Sequence, residues 1–168
     1  TSFQRPNFQP ARLKTPIDRT AYRALTDVAS LEAYVARAFE AGTVAFDTET
    51  TGLDPMRDEL VGVSLALAPG DAVYVPLRHG RIARDLMSSG EAPAQIEPAA
   101  ALAILKPLLE DPGVLKILQN GMFDISVMAE AGVAVAPVDD TMLMSYALDA
   151  GLHGHGMDEL SSRHIGHE

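Results

Sequence analysis

Two carboxylates lie one residue apart at the end of an apolar stretch of this sequence. The segment 44–49 reads Val-Ala-Phe-Asp-Thr-Glu, which is typical of a β-strand. Because positions two apart in a strand point to the same face, Asp47 and Glu49 are predicted to project to one place. Like charges held this close raise each other's pKa unless a cation lies between them, and oxygen ligands suit divalent cations. The spacing therefore predicts part of a metal site.

Composition limits what the chain can be. Its 168 residues, 47% of them hydrophobic, are enough for one domain with a sizeable core. The absence of Cys excludes disulfides and thiolate zinc sites and fits a reducing compartment, so we expect a cytoplasmic protein. No apolar stretch is long enough to span a bilayer, and residues 1–5 lack the apolar core of a signal peptide, so no membrane partner is expected. A monomer is the default expectation.

The formal net charge of -10 argues against a broad basic face that holds nucleic acid by neutralising phosphates. A phosphate partner would have to be bound locally, through a metal ion.

The first half of the sequence predicts an arm followed by strands. Residues 1–20 contain three prolines and no hydrophobic period, which indicates an arm or linker before a domain over 21–168. A strand is predicted near 22–25, and a helix through 31–39 that Ser30 or Asp27 caps and Gly42 ends. Two strands, over 60–68 and 72–77, are predicted to be joined by a turn, and a surface loop is predicted over 78–98. The two later strands form an antiparallel hairpin after the acidic strand.

The second half alternates helices with short strands. We expect a helix over 98–110 that Pro107 kinks or shortens, a strand over 114–119, a helix over 121–131 capped by Asn120, a helix over 141–150 capped by Asp139 or Asp140, and a last helix starting at Asp158. The whole pattern predicts an α/β fold, a mixed sheet whose first three strands are antiparallel, flanked by helices.

Five separated stretches, at 46–50, 60–65, 74–77, 115–124 and 140–143, resemble the proofreading 3′–5′ exonuclease domain of bacterial DNA polymerase I. The resemblance covers roughly residues 22 to 165. It implies a ribonuclease H-like fold and membership of the four-carboxylate (DEDD) exonucleases. Asp47 and Glu49 match the first motif of that family, and Asn120 with Asp124 match the second.

The resemblance also implies catalytic roles for three acids. Two divalent cations, Mg²⁺ or Mn²⁺, about 3.5–4 Å apart would serve phosphodiester hydrolysis. By the resemblance, Asp47 bridges both ions, Glu49 holds the ion that makes the attacking hydroxide, and Asp124 holds the ion facing the leaving 3′ oxygen. The expected substrate is a single-stranded or frayed 3′ end of DNA, and a polymerase domain is expected to follow residue 168 in the parent chain.

Four more residues are predicted to bind the substrate. The resemblance places Leu53 against the terminal base, and Thr50, Gln119 and Asn120 along the DNA. Two alternatives remain open from the residues themselves: Leu53 can pack inward instead, and Asn120 can be only a helix cap.

The third family motif, a Tyr four residues before an Asp, is absent from the sequence. We therefore expect this fragment to bind its first ion poorly and to have little or no activity. His153 and Asp158 have the spacing of a sister class that uses His in place of Tyr, but a helix cap is the favoured role of Asp158. The competing functions are a ribonuclease D-type exonuclease acting on RNA and a vestigial scaffold that braces a polymerase.

Overall fold

A computed structural model of the chain describes residues 18–80 and 94–167. The predicted arm lies outside the described residues up to position 17, and the predicted loop lies outside them over 81–93. None of the helices in the described ranges has the length and apolarity needed to cross a membrane.

The described residues form one mixed sheet of six strands. Its spatial order is β1-β4-β3-β2-β5-β6. Strands β2, β3 and β4 form an antiparallel meander, whereas β1, β5 and β6 each run parallel to the neighbour on their inner side. The strands are β1 Arg23–Ala24, β2 Thr43–Thr50, β3 Leu60–Ala68, β4 Asp71–Pro76, β5 Leu115–Leu118 and β6 Val138–Asp140. The predicted fold class and hairpin are confirmed; β6 was not predicted, because three residues carry too little pattern.

Within the described ranges, five α-helices accompany the sheet, after a short 3-10 helix at Arg19–Ala21. They are α1 Val28–Ala41, α2 Pro98–Glu110, α3 Met122–Glu130, α4 Thr141–Asp149 and α5 Met157–Ile165. Asp27 caps α1 by accepting a hydrogen bond from the Ser30 amide at 2.9 Å, and Gly42 ends it in a left-handed conformation. The predicted start and end of this helix are confirmed.

Pro107 does not shorten α2, which was one of the two predicted effects of this residue. The helix continues to Glu110, although a proline inside a helix removes one backbone hydrogen bond. Leu105, Leu108 and Leu109 are fully buried on either side of it. Their packing outweighs the lost bond and keeps the last turn helical.

The two faces of the sheet differ in character. Alternate residues of β2, β3 and β4 point into one hydrophobic core with α1 and α2, among them Val44, Phe46, Val63, Leu65, Val73 and Val75. The residues between them, such as Ala45, Asp47 and Ser64, are only partly buried or exposed. The predicted acidic pair thus lies on the more open face.

Lys116 is an exception within the core side of β5. Its side chain is fully buried, and Nζ donates to the carbonyls of Asp111 at 2.9 Å and Val114 at 2.7 Å and also to that of Ala136. Burial lowers the pKa of Lys116. The ammonium group therefore joins the loop after α2 to the segment before β6 and fixes the start of β5.

Candidate active site

Asp47 and Glu49 project from the same face of β2, as the alternation of the strand requires. In the antiparallel ladder Asp47 lies opposite Ser64 and Glu49 lies opposite Gly62. Asp47 is half-buried and Glu49 is exposed. Next to Asp47 is a shallow cavity of about 280 Å³ over the sheet, whose lining includes Ser64, Gln119 and Thr141.

Asp124 reaches this strand from the first turn of α3. Its Oδ1 accepts hydrogen bonds from the Thr48 amide at 2.8 Å and the Thr48 hydroxyl at 2.6 Å. Strand β5 pairs with β2 only as far as Ala45, so the Thr48 amide lies beyond the ladder and needs another partner. Asp124, only 3% exposed, supplies it and is thereby fixed against the backbone between Asp47 and Glu49.

The three acids influence one another electrostatically. Burial, the charge of Asp124 and the charge of Glu49 raise the pKa of Asp47 from its ordinary value to about 6. Burial also raises the pKa of Asp124, against the two hydrogen bonds from Thr48. Within 18–80 and 94–167, none of the ion pairs involves Asp47, Glu49 or Asp124. The described site concentrates negative charge with no basic side chain to balance it.

Carboxylate oxygens are the donors that hard divalent cations prefer, so the chemistry of this set fits Mg²⁺ or Mn²⁺. In the part of the chain that the structure describes, however, no three His, Asp or Glu side chains are arranged closely enough to enclose a metal ion. The acids share a region of the sheet and leave the coordination shell open.

Leu53 points away from the protein at the loop that follows β2. Its side chain is 93% exposed, so it does not pack inward. Asp58 organises this loop, accepting hydrogen bonds from the Thr51 hydroxyl at 3.1 Å and the Asp54 amide at 2.7 Å. Gly52 is needed beneath it, because a Cβ there would lie 2.5 Å from the Asp58 carboxylate. The loop thus holds an apolar residue in solvent three positions after the end of β2.

The other three predicted substrate residues differ in their freedom to bind. Thr50 donates its hydroxyl proton to the Gly52 carbonyl at 2.6 Å. Both ends of the Gln119 amide are occupied: Nε2 donates to the His155 carbonyl at 2.9 Å, and Oε1 accepts from the Thr141 hydroxyl. These bonds fix the orientation of the Gln119 amide, whose second N–H and second oxygen lone pair are the groups left for a contact with DNA.

Asn120 does not cap α3, which corrects the prediction. The N-cap position is Gly121, and Asn120 has a φ of 61°. Asn tolerates this left-handed region better than most residues, and α3 has no side-chain hydrogen bond from its N-cap residue. The Asn120 side chain is exposed, and its amide remains available to a ligand.

Asp140 has a positioning role that the sequence revealed only in part. Its carboxylate caps α4 by accepting hydrogen bonds from the amides of Met142 at 2.8 Å and Leu143 at 3.2 Å. Of the two predicted caps, Asp139 and Asp140, the second is therefore confirmed. It also accepts from the amides of Asn120 at 3.2 Å and Gly121 at 2.8 Å. One side chain therefore joins the starts of α3 and α4, and no local sequence signal indicates the contact with α3.

His153 and Asp158 are not brought together as a pair. His153 Nε2 lies 3.5 Å from Asp149 Oδ2, one turn earlier in the chain. Asp158 lies in the first turn of α5, and Gly156 is the N-cap residue, so the predicted cap at Asp158 is wrong. An acid in a first turn is still favourable because of the helix dipole.

Comparison with known proteins identifies the family of the chain. A family model described as 3′–5′ exonuclease matches residues 22–168. DNA polymerase I of Rhizobium leguminosarum is 46% identical over 90% of this chain, and DNA polymerase I of Pseudomonas aeruginosa is 40% identical over 92% of it. In both cases the alignment covers 16% of the relative, so the chain spans only a small part of their length.

Solved structures give the same fold. A structure of Brucella melitensis NrnC with bound Mg²⁺ is 28% identical with a TM-score of 0.58, covering 84% of this chain and 59% of that one. Pol1 of M. smegmatis has a TM-score of 0.66 at 21% identity, covering 87% and 23%. Escherichia coli RNase D has a TM-score of 0.64 at 18% identity, covering 87% and 34%. The last two likenesses are evidence of the fold alone.

Proposed function

The chain belongs to the 3′–5′ exonuclease family that occurs in DNA polymerase I proteins, and we propose that it removes nucleotides from DNA 3′ ends by metal-dependent hydrolysis. The contact of Asp124 with Thr48 carries the proposal. It brings an acid from another part of the sequence to the backbone between Asp47 and Glu49. A strand that merely left the core would have no reason to gather three acids there.

The proposed metal ligands are Asp47, Glu49 and Asp124. Two bound divalent cations would supply the positive charge that activates water and stabilises the leaving oxygen. The Mg²⁺ complex of NrnC supports Mg²⁺ as one candidate, and Mn²⁺ is the other. Weak binding of the first ion by these three acids alone is part of the proposal, since none of the groups of Asp, Glu and His among the described residues encloses a cation.

The proposed substrate is a single-stranded or frayed DNA end. Leu53, held in solvent in the loop after β2, is available for stacking against a terminal base, and the exposed Asn120 amide is available for the DNA backbone. Gln119 and Thr50 are more constrained candidates, because hydrogen bonds within the chain already fix the orientation of their polar groups. The two DNA polymerase I relatives favour DNA over RNA.

A longer polymerase is the proposed context. The alignments cover 16% of the DNA polymerase I relatives, which supports a domain at 21–168 acting as the editing module of such a protein. A cytoplasmic monomer remains the expectation from the sequence.

The test compares hydrolysis of matched 5′-labelled single-stranded DNA and RNA with Mn²⁺ present, using the full-length protein that carries this domain. Asp47→Ala is expected to lower the rate on DNA about 100-fold or more, because it removes charge stabilisation at the reacting phosphate. Glu32→Gln, an exposed acid on α1, is the matched control and should leave the rate unchanged.

The competing functions give different results in the same assay. Faster hydrolysis of RNA than of DNA would favour a ribonuclease D-type enzyme, whose fold the chain shares. No Mn²⁺-dependent hydrolysis, with Asp47→Ala equal to the unaltered protein, would favour a vestigial scaffold.

A further inference from the structure

A tyrosine hydroxyl lies beside Glu49 and has no part in the proposed function so far. Tyr74 on β4 pairs with Ser64 on β3, and Ser64 pairs with Asp47 on β2, so these side chains share one face of the sheet. Along β3, Gly62 pairs with Glu49. A Cβ at Gly62 would lie 1.8 Å from Tyr74 Oη. The hydroxyl therefore fills the position next to Glu49 that a side chain at residue 62 would otherwise occupy.

His79 holds this hydroxyl in place. Tyr74 Oη and His79 Nε2 are 2.6 Å apart. The backbone of His79 is fixed in turn by Gln95, whose Oε1 accepts from the His79 amide at 2.9 Å and whose Nε2 donates to the His79 carbonyl at 3.2 Å. Burial, followed by the charge of Glu49, raises the pKa of the Tyr74 hydroxyl, which keeps it protonated at neutral pH.

Glu49 itself has much freedom. It is exposed, and in the described ranges it forms no hydrogen bond or ion pair with another side chain. A long flexible side chain loses conformational entropy when it becomes a metal ligand, so a neighbouring donor that fixes its carboxylate improves binding. The Tyr74 hydroxyl is a donor on that side, since His79 Nε2–H can donate to Oη and leave the phenolic proton free.

We propose that Tyr74 is a positioning residue for Glu49: its hydroxyl, held by His79, orients the Glu49 carboxylate toward a divalent cation. This inference rests on the proposed function, because it assumes that Glu49 is a metal ligand. It assigns a role to three residues outside the acids themselves, namely Tyr74, His79 and Gly62. Gly62 is required because any larger residue displaces the hydroxyl.

The test measures Mn²⁺ affinity by electron paramagnetic resonance of free Mn²⁺, and the free energy of unfolding in urea. Tyr74→Phe is expected to weaken binding about 10-fold, within the range for groups that orient a metal ligand, with stability little changed. Gly62→Ala should weaken Mn²⁺ binding by a similar factor, because it pushes the hydroxyl aside. His79→Gln retains a side-chain partner for Oη and should weaken Mn²⁺ binding less. Tyr146→Phe on α4, whose ring stacks on His155, is the control and should bind like the unaltered chain.

The outcomes separate this inference from the proposed function. If the unaltered chain binds Mn²⁺ in a manner that Asp47→Asn abolishes, while Tyr74→Phe binds equally well, this inference alone is overturned. A loss of affinity in Tyr74→Phe that only follows a loss of stability also overturns it. If the unaltered chain binds no Mn²⁺ that depends on Asp47, the same variants are compared in the full-length protein that carries the domain. If that protein also shows no Mn²⁺ binding that depends on Asp47, the proposed metal site fails and this inference fails with it.

Discussion

Asp124 has a structural task in addition to its proposed role as a metal ligand. Its Oδ1 satisfies the amide and hydroxyl of Thr48, which is only 7% exposed, where the ladder to β5 has ended. A buried backbone amide without a partner is costly. The same contact that joins α3 to β2 therefore places Asp124 relative to the other two acids.

The two tasks of Asp124 can be separated by substitution. Asp124→Ala leaves the Thr48 amide without an acceptor and should lower the free energy of unfolding by about 1–3 kcal/mol. Asp124→Asn keeps an acceptor oxygen and removes a buried charge, so its stability should match or exceed that of the unaltered chain. Both should lose Mn²⁺ binding. Urea unfolding with a parallel Mn²⁺ titration checks this, and equal destabilisation by both variants would contradict it.

Asp47 should make the metal-free chain less stable as pH rises. Its pKa is about 6 in the folded chain, above its ordinary value, so between pH 4 and 6 the folded state binds more protons than the unfolded state. Stability from this group is then present at low pH and is lost as pH rises through about 6. After allowance for solvent screening of a half-buried group, the loss should be about 1–2 kcal/mol.

Asp47→Asn is the comparison that isolates this group. Measured in urea with EDTA, the variant should become more stable relative to the unaltered chain by that amount between about pH 4 and pH 7.5. Added Mg²⁺ should reduce the difference, because the cation binds the ionised carboxylate. Parallel stability curves for the two proteins over the whole range would show that Asp47 does not titrate as described.

At the level of elements, β2 and α3 bring the acids together, and Asp140 fixes α3. Its carboxylate accepts backbone hydrogen bonds at the start of α3 and at the start of α4. Because Asp124 lies in the first turn of α3, the placement of that helix start also places the acid. The charge of Asp140 contributes to the raised pKa of Asp124 as well.

Asp140→Ala should therefore affect stability and the site together. Loss of the cap on α4 and of the partner for the Gly121 amide is expected to lower the free energy of unfolding by about 2–3 kcal/mol. Mn²⁺ binding by the folded fraction should also weaken. Asp139→Ala, the exposed neighbouring acid, should change stability by less than about 0.5 kcal/mol. Equal effects of the two substitutions would argue against a role of Asp140 in joining the starts of α3 and α4.

The sequence predicted elements where the signal was local and failed where it was tertiary. Alternation marked β2, the Pro69-Gly70 turn marked the hairpin, and the prolines and leucines of α2 gave its bounds. The residue types of Asn120 and Asp158 predict caps, but α3 begins after Gly121 and α5 begins after Gly156. Two features depend on contacts between distant segments, which carry no local pattern. One is the joining of α3 and α4 by Asp140, and the other is the position of the Tyr74 hydroxyl beside Glu49.

At the scale of the whole molecule, charge determines how a nucleic acid can bind. The chain has 13 Lys and Arg residues against 23 Asp and Glu residues, and its proposed site is itself acidic. Long-range electrostatics thus repel a DNA strand rather than attract it. Binding must come from short-range contacts at the site, with bound cations between the carboxylates and the phosphate.

The dependence of DNA binding on ions should follow from this charge distribution. With Mn²⁺ present, the affinity for a fluorescent single-stranded oligonucleotide, measured by anisotropy, should fall less than about 10-fold between about 50 mM and 200 mM KCl. Proteins that bind through many Lys or Arg contacts lose far more over that range, because each contact releases counterions. Chelation with EDTA should abolish binding, and Asp47→Asn should bind weakly even with Mn²⁺. Binding that survives EDTA and weakens steeply with KCl would instead indicate a basic surface for the DNA and would remove the metal from substrate recognition.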